Sequence, residues 1–235
     1  MVVQHNLQAA NTNRMLGQNV KAVSKSTEKL SSGYQVNRAA DDAAGLSISE
    51  KMRNQIRGIN QAVKNSEDGV SLIQTAEGNM NEIHSILQRM GELATKAAND
   101  VNASDDRTAI DDEMKQLTEE IDSIAKKAAF NGTYLLRGSF TNKQLQVGAV
   151  AGENMSITIS SMKASKIGVA GLKVSSHKAA SSAMTAITKA IKDVSTARSK
   201  LGAIQNRLNY TINNLENYSE NLTAAESQIR DTDMA

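Results

Sequence analysis

From position 42 to about 99 the apolar residues fall at Met52, Ile56, Ile59, Val63, Val70, Ile73, Ala76, Met80, Ile83, Leu87, Met90, Ala94 and Ala97, almost always three or four apart. This is the repeat of a helix with one narrow apolar seam, with Ser66 filling a seam position and one three-three break around Ile73 and Ala76. The spacing predicts a coiled-coil-like helix. At 1.5 Å per residue, roughly 58 positions would extend about 87 Å, which implies a rod. A second run, Ile110, Met114, Leu117, Ile121, Ile124 and Ala128, alternates fours and threes. Ser104, Asp105 and Asp106 in front of it supply capping side chains and suit the helix dipole, which makes 99–104 the turn between two antiparallel helices.

A third run starts near Ser182 and carries Ile187, Ile191, Val194, Leu201, Ile204, Leu208, Leu215, Tyr218, Leu222, Ala225 and Ile229. A shorter one at the N-terminus uses Val3, Leu7, Ala10, Leu16, Val20, Val23 and Leu30, and Ser31, Ser32 and Gly33 provide its stop. Between 130 and 176 the period drops to two: Leu145 and Val147, the turn-rich GAVAGEN, then Met155, Ile157 and Ile159 alternate with polar residues, as in a β-hairpin. The piece IGVAGLKV between and around Gly168 and Gly171 is either another strand or an irregular return to the last helix.

A narrow seam hides its surface only against another seam, and burying one Leu or Ile contributes roughly 1.5 to 3 kcal/mol. The expected fold is therefore mainly α, an elongated antiparallel helical bundle or coiled coil with a small β-hairpin region. The N-terminal helix has nothing obvious within the chain to pack on, so its stripe implies a partner.

Composition agrees with long helices. Against about 5% Pro in an average chain, the 235 residues contain 0 Pro, 0 Cys, 0 Trp, 2 Phe and 4 Tyr. Without cysteine there is no disulfide framework, thiolate metal cluster or cysteine nucleophile. The balance of 27 Lys plus Arg against 25 Asp plus Glu gives +2 and no basic stripe, which argues against nucleic acid as a partner. No window approaches 18 consecutive apolar residues and the start lacks a basic-then-apolar leader, so neither a membrane span nor a Sec-type signal is expected.

His5, His84 and His177 stand far apart and read as helix histidines rather than metal ligands. The acidic patch Asp105, Asp106, Asp111, Asp112, Glu113, Glu119 and Glu120 lacks the glycine and alternating oxygens of a calcium loop and reads as a solvated face. Asn102, Asn131, Asn154, Asn209, Asn217 and Asn221 begin Asn-x-Ser/Thr triplets, explained by chance in an Asn- and Ser-rich chain. No phosphate loop, dinucleotide fingerprint or nucleophile elbow occurs, so the expectation is a protein with no catalytic residues, metal or cofactor.

The segment EKLSSGYQVNRAADDAAGLSISEKMRNQIRG at 28–58 resembles the N-terminal region of bacterial flagellin, as do FNGTYLL at 130–136 and QLQVGAVAGENMSITI at 144–159. LGAIQNRLNYTINNLENYSENLTAAESQIRDTDMA at 201–235 is similar to the family's C-terminal region. The resemblance spans almost the whole chain in the right order. It implies a secreted, extracellular filament subunit used for motility, whose partners are other flagellin subunits and an export chaperone, delivered unfolded through the flagellar type III apparatus. It further implies an N-terminal D0 helix and connecting segment at 1–41, the D1 long helix and its antiparallel neighbour at 42–129, the D1 hairpin region at 130–176, and a C-terminal D1 helix at 177–235 running towards D0.

Because family members continue past the DTDMA motif with a helix that pairs in D0, a chain stopping at Ala235 leaves the stripe of Val3, Leu7 and Ala10 without its mate, and impaired assembly is expected. The alternatives within reach are a hook-filament junction protein, which shares flagellin-like ends, and a shortened flagellin acting as a soluble receptor ligand. The family is also detected by a host Toll-like innate immune receptor through D1. Its recognition motif matches Gln88, Arg89, Glu92 and Leu93, with Glu113 on the neighbouring helix. Arg89 and Leu93 are i and i+4 and point the same way, as an exposed anchor pair. Gly91 stands where the family commonly carries a basic residue.

Overall fold

The computed structural model describes residues 6–234. Helix α1 (Leu7–Ser32) is capped at its start by Asn6, whose side-chain oxygen accepts the Ala9 N–H at 3.1 Å. It ends at Gly33, where φ is +74° and the N–H returns to the Lys29 carbonyl. That left-handed turn suits a residue without Cβ, and the stop falls where the sequence places it. Helix α2 (Ala43–Ala97) begins behind Asp42, whose Oδ1 accepts the N–H groups of Ala44 and Gly45 at 3.0 and 2.9 Å.

After a turn over residues 98–103 comes α3 (Ser104–Lys127). Its capping differs from the expected arrangement. Ser104 is already helical, the cap position belongs to Ala103, and the Asp106 carboxylate reaches back to accept the Ala103 N–H at 3.2 Å. The acids act from inside the first turn, where they also face the helix dipole.

Two small antiparallel pairs follow. Strands β1 (Ala129–Phe130) and β2 (Thr133–Tyr134) pair Ala129 with Tyr134 and Phe130 with Thr133. Between them Asn131 and Gly132 both have positive φ, 45° and 75°, the geometry that a two-residue hairpin turn requires. Strands β3 (Lys143–Gln146) and β4 (Asn154–Ile157) form the hairpin predicted from period-two spacing, with Leu145 opposite Met155. The piece after it is an irregular return: a single turn, α4 (Ala164–Ile167), stops at Gly168 with φ +78°, and Val169 and Val174 are buried without joining a strand. Helix α5 (His177–Arg230) starts five residues before the predicted Ser182.

The chain divides into two compact units, residues 61–215 and residues 1–60 with 216–235. In the larger, the α2 seam is closed: Ile73, Ala76, Met80, Ile83, Leu87, Met90, Ala94 and Ala97 each have no exposed surface. Against them lie Met114, Ile121 and Ala125 of α3, and Ala183, Ile187, Ala190, Val194, Leu201 and Leu208 of α5. Alanines on the seam let helices approach while Met, Ile and Leu fill the layers between. Leu135, Leu136, Ile157 and Ile159 extend this core beneath the hairpins. Ser66, the polar seam position, is fully buried and donates to the Ala62 carbonyl at 2.8 Å, so its hydroxyl is satisfied inside its own helix.

The smaller unit pairs the start of α2 with the end of α5 around a sparser core, including Val36 and Ile59. Its polar contacts are correspondingly prominent, and Ser49, 1% exposed, donates to Glu226 at 2.9 Å.

Candidate functional site

Two exposed surfaces and one polar cluster stand out. The first surface is α1 itself, on which no residue is buried. Leu7 is 80% exposed, Leu16 59%, Val20 61%, Val23 66% and Leu30 52%. Ala10 is exposed beside them, whereas Val3 lies outside the described residues. Since Leu16, Val20 and Val23 are spaced four and three, they share one helix face. A stripe of this kind in water forfeits the burial that would stabilise it, so it calls for a covering surface.

The second surface lies where α2 runs beside α3 in the larger unit. The Arg89 guanidinium donates through Nε and Nη2 to Glu113 Oε1 at 3.1 and 3.0 Å, and through Nη1 to Glu92 Oε2 at 3.1 Å. Hydrogen bonds to Glu113 and then to Glu92 raise its pKa above the ordinary value, so it stays cationic. Gln88 is exposed and its amide meets the His84 ring at 3.2 Å. Arg89, Glu92 and Glu113 thus form one fork on two helices, with 45% to 69% of each charged side chain remaining in water, while Gln88 turns to His84 beside it.

Leu93 departs from the expectation of an exposed anchor: it is only 3% exposed and belongs to the core with Met90 and Ala94. One turn along a helix places Arg89 and Leu93 on the same side, but the seam covers two neighbouring positions at 93 and 94, and the apolar one turns inward. Gly91, next to the fork, is half-buried, and a Cβ there would meet Ile187 Cγ2 at an ordinary 3.8 Å.

The polar cluster, which periodicity does not reveal, closes the smaller unit. The segment after α1 is stitched to the end of α5, with Gln35 donating to the Arg230 carbonyl at 2.7 Å and Thr232 to the Gly33 carbonyl at 2.9 Å. Between them the Tyr34 ring lies within 5.7 Å of the Arg53 guanidinium and 4.7 Å of that of Arg230. Arg53 also donates to the Tyr34 hydroxyl at 3.1 Å and lies 3.2 Å from Glu226, while Arg230 bonds Glu50 at 2.9 Å. The Tyr34 hydrogen bond chiefly, with Glu226 behind it, raises the pKa of Arg53. Cations against a ring face combine dispersion with quadrupole attraction. The partners are separated by up to 196 residues (230 − 34), beyond what spacing along one helix can indicate.

No group of three or more His, Cys, Asp or Glu side chains able to hold a metal occurs among the described residues. His84 and His177 lie apart in sequence, His177 contacting the Ala98 carbonyl at 2.6 Å, and His5 is outside the described residues.

The model of the bacterial flagellin N-terminal helical region matches residues 3–141, and that of the C-terminal helical region matches 184–235. A flagellin of Halalkalibacterium halodurans is 52% identical, covering 100% of this chain and 87% of its own. A flagellin of Bacillus subtilis is 46% identical, covering 100% and 88%. Among solved structures, a Bacillus cereus flagellin matches at 30% identity with a TM-score of 0.59, over 65% of this chain and 88% of that one. A flagellar hook-associated protein from Vibrio parahaemolyticus has a TM-score of 0.67 at 16% identity, over 81% and 100%, a likeness of fold alone.

Proposed function

This chain belongs to the bacterial flagellin family and is a subunit of the extracellular flagellar filament, and we propose that α1 is a surface through which it joins its siblings. The carrying observation is the stripe: 26 residues of regular helix with apolar residues on one face and none buried. Residues 1–41 then supply the D0 helix and its connection, 42–129 and 177–235 the D1 helices, and 130–176 the hairpin region. Contacts of this type are heterologous and extend without closing, which is the symmetry of a filament. An export chaperone fits the same reading, because a stripe made to pair must be kept from pairing early.

The test is binding to filament ends. Added to sheared filament seeds, the protein should sediment with them. Leu16→Ser with Val20→Ser should stay in the supernatant with unchanged helix content. Equal co-sedimentation of the variant would remove α1 from the contact.

The exposed fork of Arg89, Glu92 and Glu113, with the exposed Gln88 beside it on α2, suits recognition by a host Toll-like receptor. Charged donors and acceptors are already oriented there, and an Arg at the centre of a patch is a favoured anchor. Leu93 acts in this reading by fixing the helix surface from beneath. Arg89→Ala should weaken binding to the receptor ectodomain by about tenfold while leaving unfolding unchanged; undiminished affinity would discard the assignment.

A further inference from the structure

In the larger unit, two adjoining cavities of about 610 and 300 Å³ share Ser160, Ser161 and Lys166 as a common wall. The first is bounded by the loops that carry Arg137 and Lys163, the second by the α5 residues Asp193 and Lys200. These walls are held in place by backbone bonds, Met162 to Leu136 at 3.0 Å and Ile159 to Phe140 at 2.8 Å. Gly138, at φ +87°, permits the close approach, since a Cβ there would stand 3.0 Å from that of Ser161.

The positive charge of this trough is only partly offset by nearby acids. Among the described residues, Lys163, Lys166 and Lys200 have no ion-pair partner, in contrast to Arg89, which has two carboxylates. Arg137 is pre-positioned: its Nε and Nη2 donate to the Lys126 carbonyl at 3.0 and 2.6 Å, and its guanidinium lies 3.3 Å from the Tyr134 ring, leaving Nη1 for another acceptor. The buried Ser161 hydroxyl has no hydrogen-bond partner. Two carboxylates stand nearby. Asp193 lies in the wall, and Asp122 is engaged with the Ala164 N–H at 2.8 Å, so four cations face two acids.

We propose that this trough binds a tetrahedral oxyanion, a phosphate or sulfate group. Lys163, Lys166 and Lys200 supply charge, Arg137 a guanidinium whose Nη1 is uncommitted, and the Ser160 hydroxyl a shorter bond. Such an anion accepts from ammonium, guanidinium and hydroxyl together, and each charge-assisted bond is stronger than its neutral counterpart. The group can arrive as a free ion or on a larger polyanion, and the two sources share this chemistry.

The test uses the purified protein and amide chemical shifts, independently of filament growth. Sodium phosphate and sulfate are titrated against sodium chloride at matched ionic strength, and heparin serves as the polymeric sulfate. The expected result is saturable shifts confined to 137–141, 158–166 and 196–200, weakened about tenfold in Lys163→Ala with Lys166→Ala. Lys200→Ala, on the exposed face of α5, repeats the test without touching the loops. Saturation by the small ions assigns the free ion; saturation by heparin alone assigns a carried group. Shifts that track ionic strength, or that persist undiminished in both variants, overturn the site.

Discussion

Helices α1 and α2 carry the same three-and-four spacing of apolar residues and meet opposite fates. On α2, Ile73, Met80, Ile83, Leu87 and Met90 have no exposed surface, whereas on α1 Leu7, Leu16, Val20, Val23 and Leu30 are all more than half exposed. Periodicity shows that a face is made to be covered; whether the cover lies in the same chain is a separate matter. For α2 it is supplied by α3, α5 and the hairpins, so the seam contributes to folding. For α1 no cover lies within the described residues, and in the function proposed above it comes from a neighbouring subunit.

The largest test of this contrast is a matched pair of truncations. Leu87→Ala should destabilise the monomer by about 2–5 kcal/mol in urea unfolding, through lost burial and the cavity left behind. Leu16→Ala should change it by less than about 0.5 kcal/mol. Equal losses would mean that α1 is packed in the isolated subunit. A smaller effect probes the polar closure of the other unit. Tyr34→Phe keeps the ring between its two arginines but removes the acceptor of the Arg53 bond, and should cost about 1 kcal/mol, seen as faster hydrogen exchange at 33–36.

Smallest is a pair of glycines. A Cβ added at Gly78 or at Gly17 meets nothing within 4 Å. Gly78→Ala should stabilise by about 0.5–1 kcal/mol because helix propensity improves within a cooperative core. Gly17→Ala should raise helix content by circular dichroism without moving the main unfolding transition.

Much of this was legible before the structure. The α2 and α5 seams, the Gly33 stop and the 143–157 hairpin follow from spacing and turn chemistry, which are local. The β1–β2 hairpin escaped the reading although Asn131-Gly132 is a turn pair, because strands of two residues give periodicity nothing to repeat. Leu93 was misplaced because a helix-face argument fixes direction and not depth: residues 93 and 94 straddle the edge of the seam. The Tyr34 cluster escaped for a different reason, since its arginines come from elements far apart along the chain.

The stitch between residues 33–36 and 230–232 bears on the order in which the molecule matures. It closes a ring of roughly two hundred residues without a covalent bond, and the entropy lost in closing so long a loop is recovered only after intervening elements have docked. A chain folding from its unfolded state therefore holds Tyr34 waiting, its aromatic face unoccupied, until the segment that carries Arg230 has docked. The clasp is a late checkpoint, and a polypeptide interrupted before Arg230 never passes it.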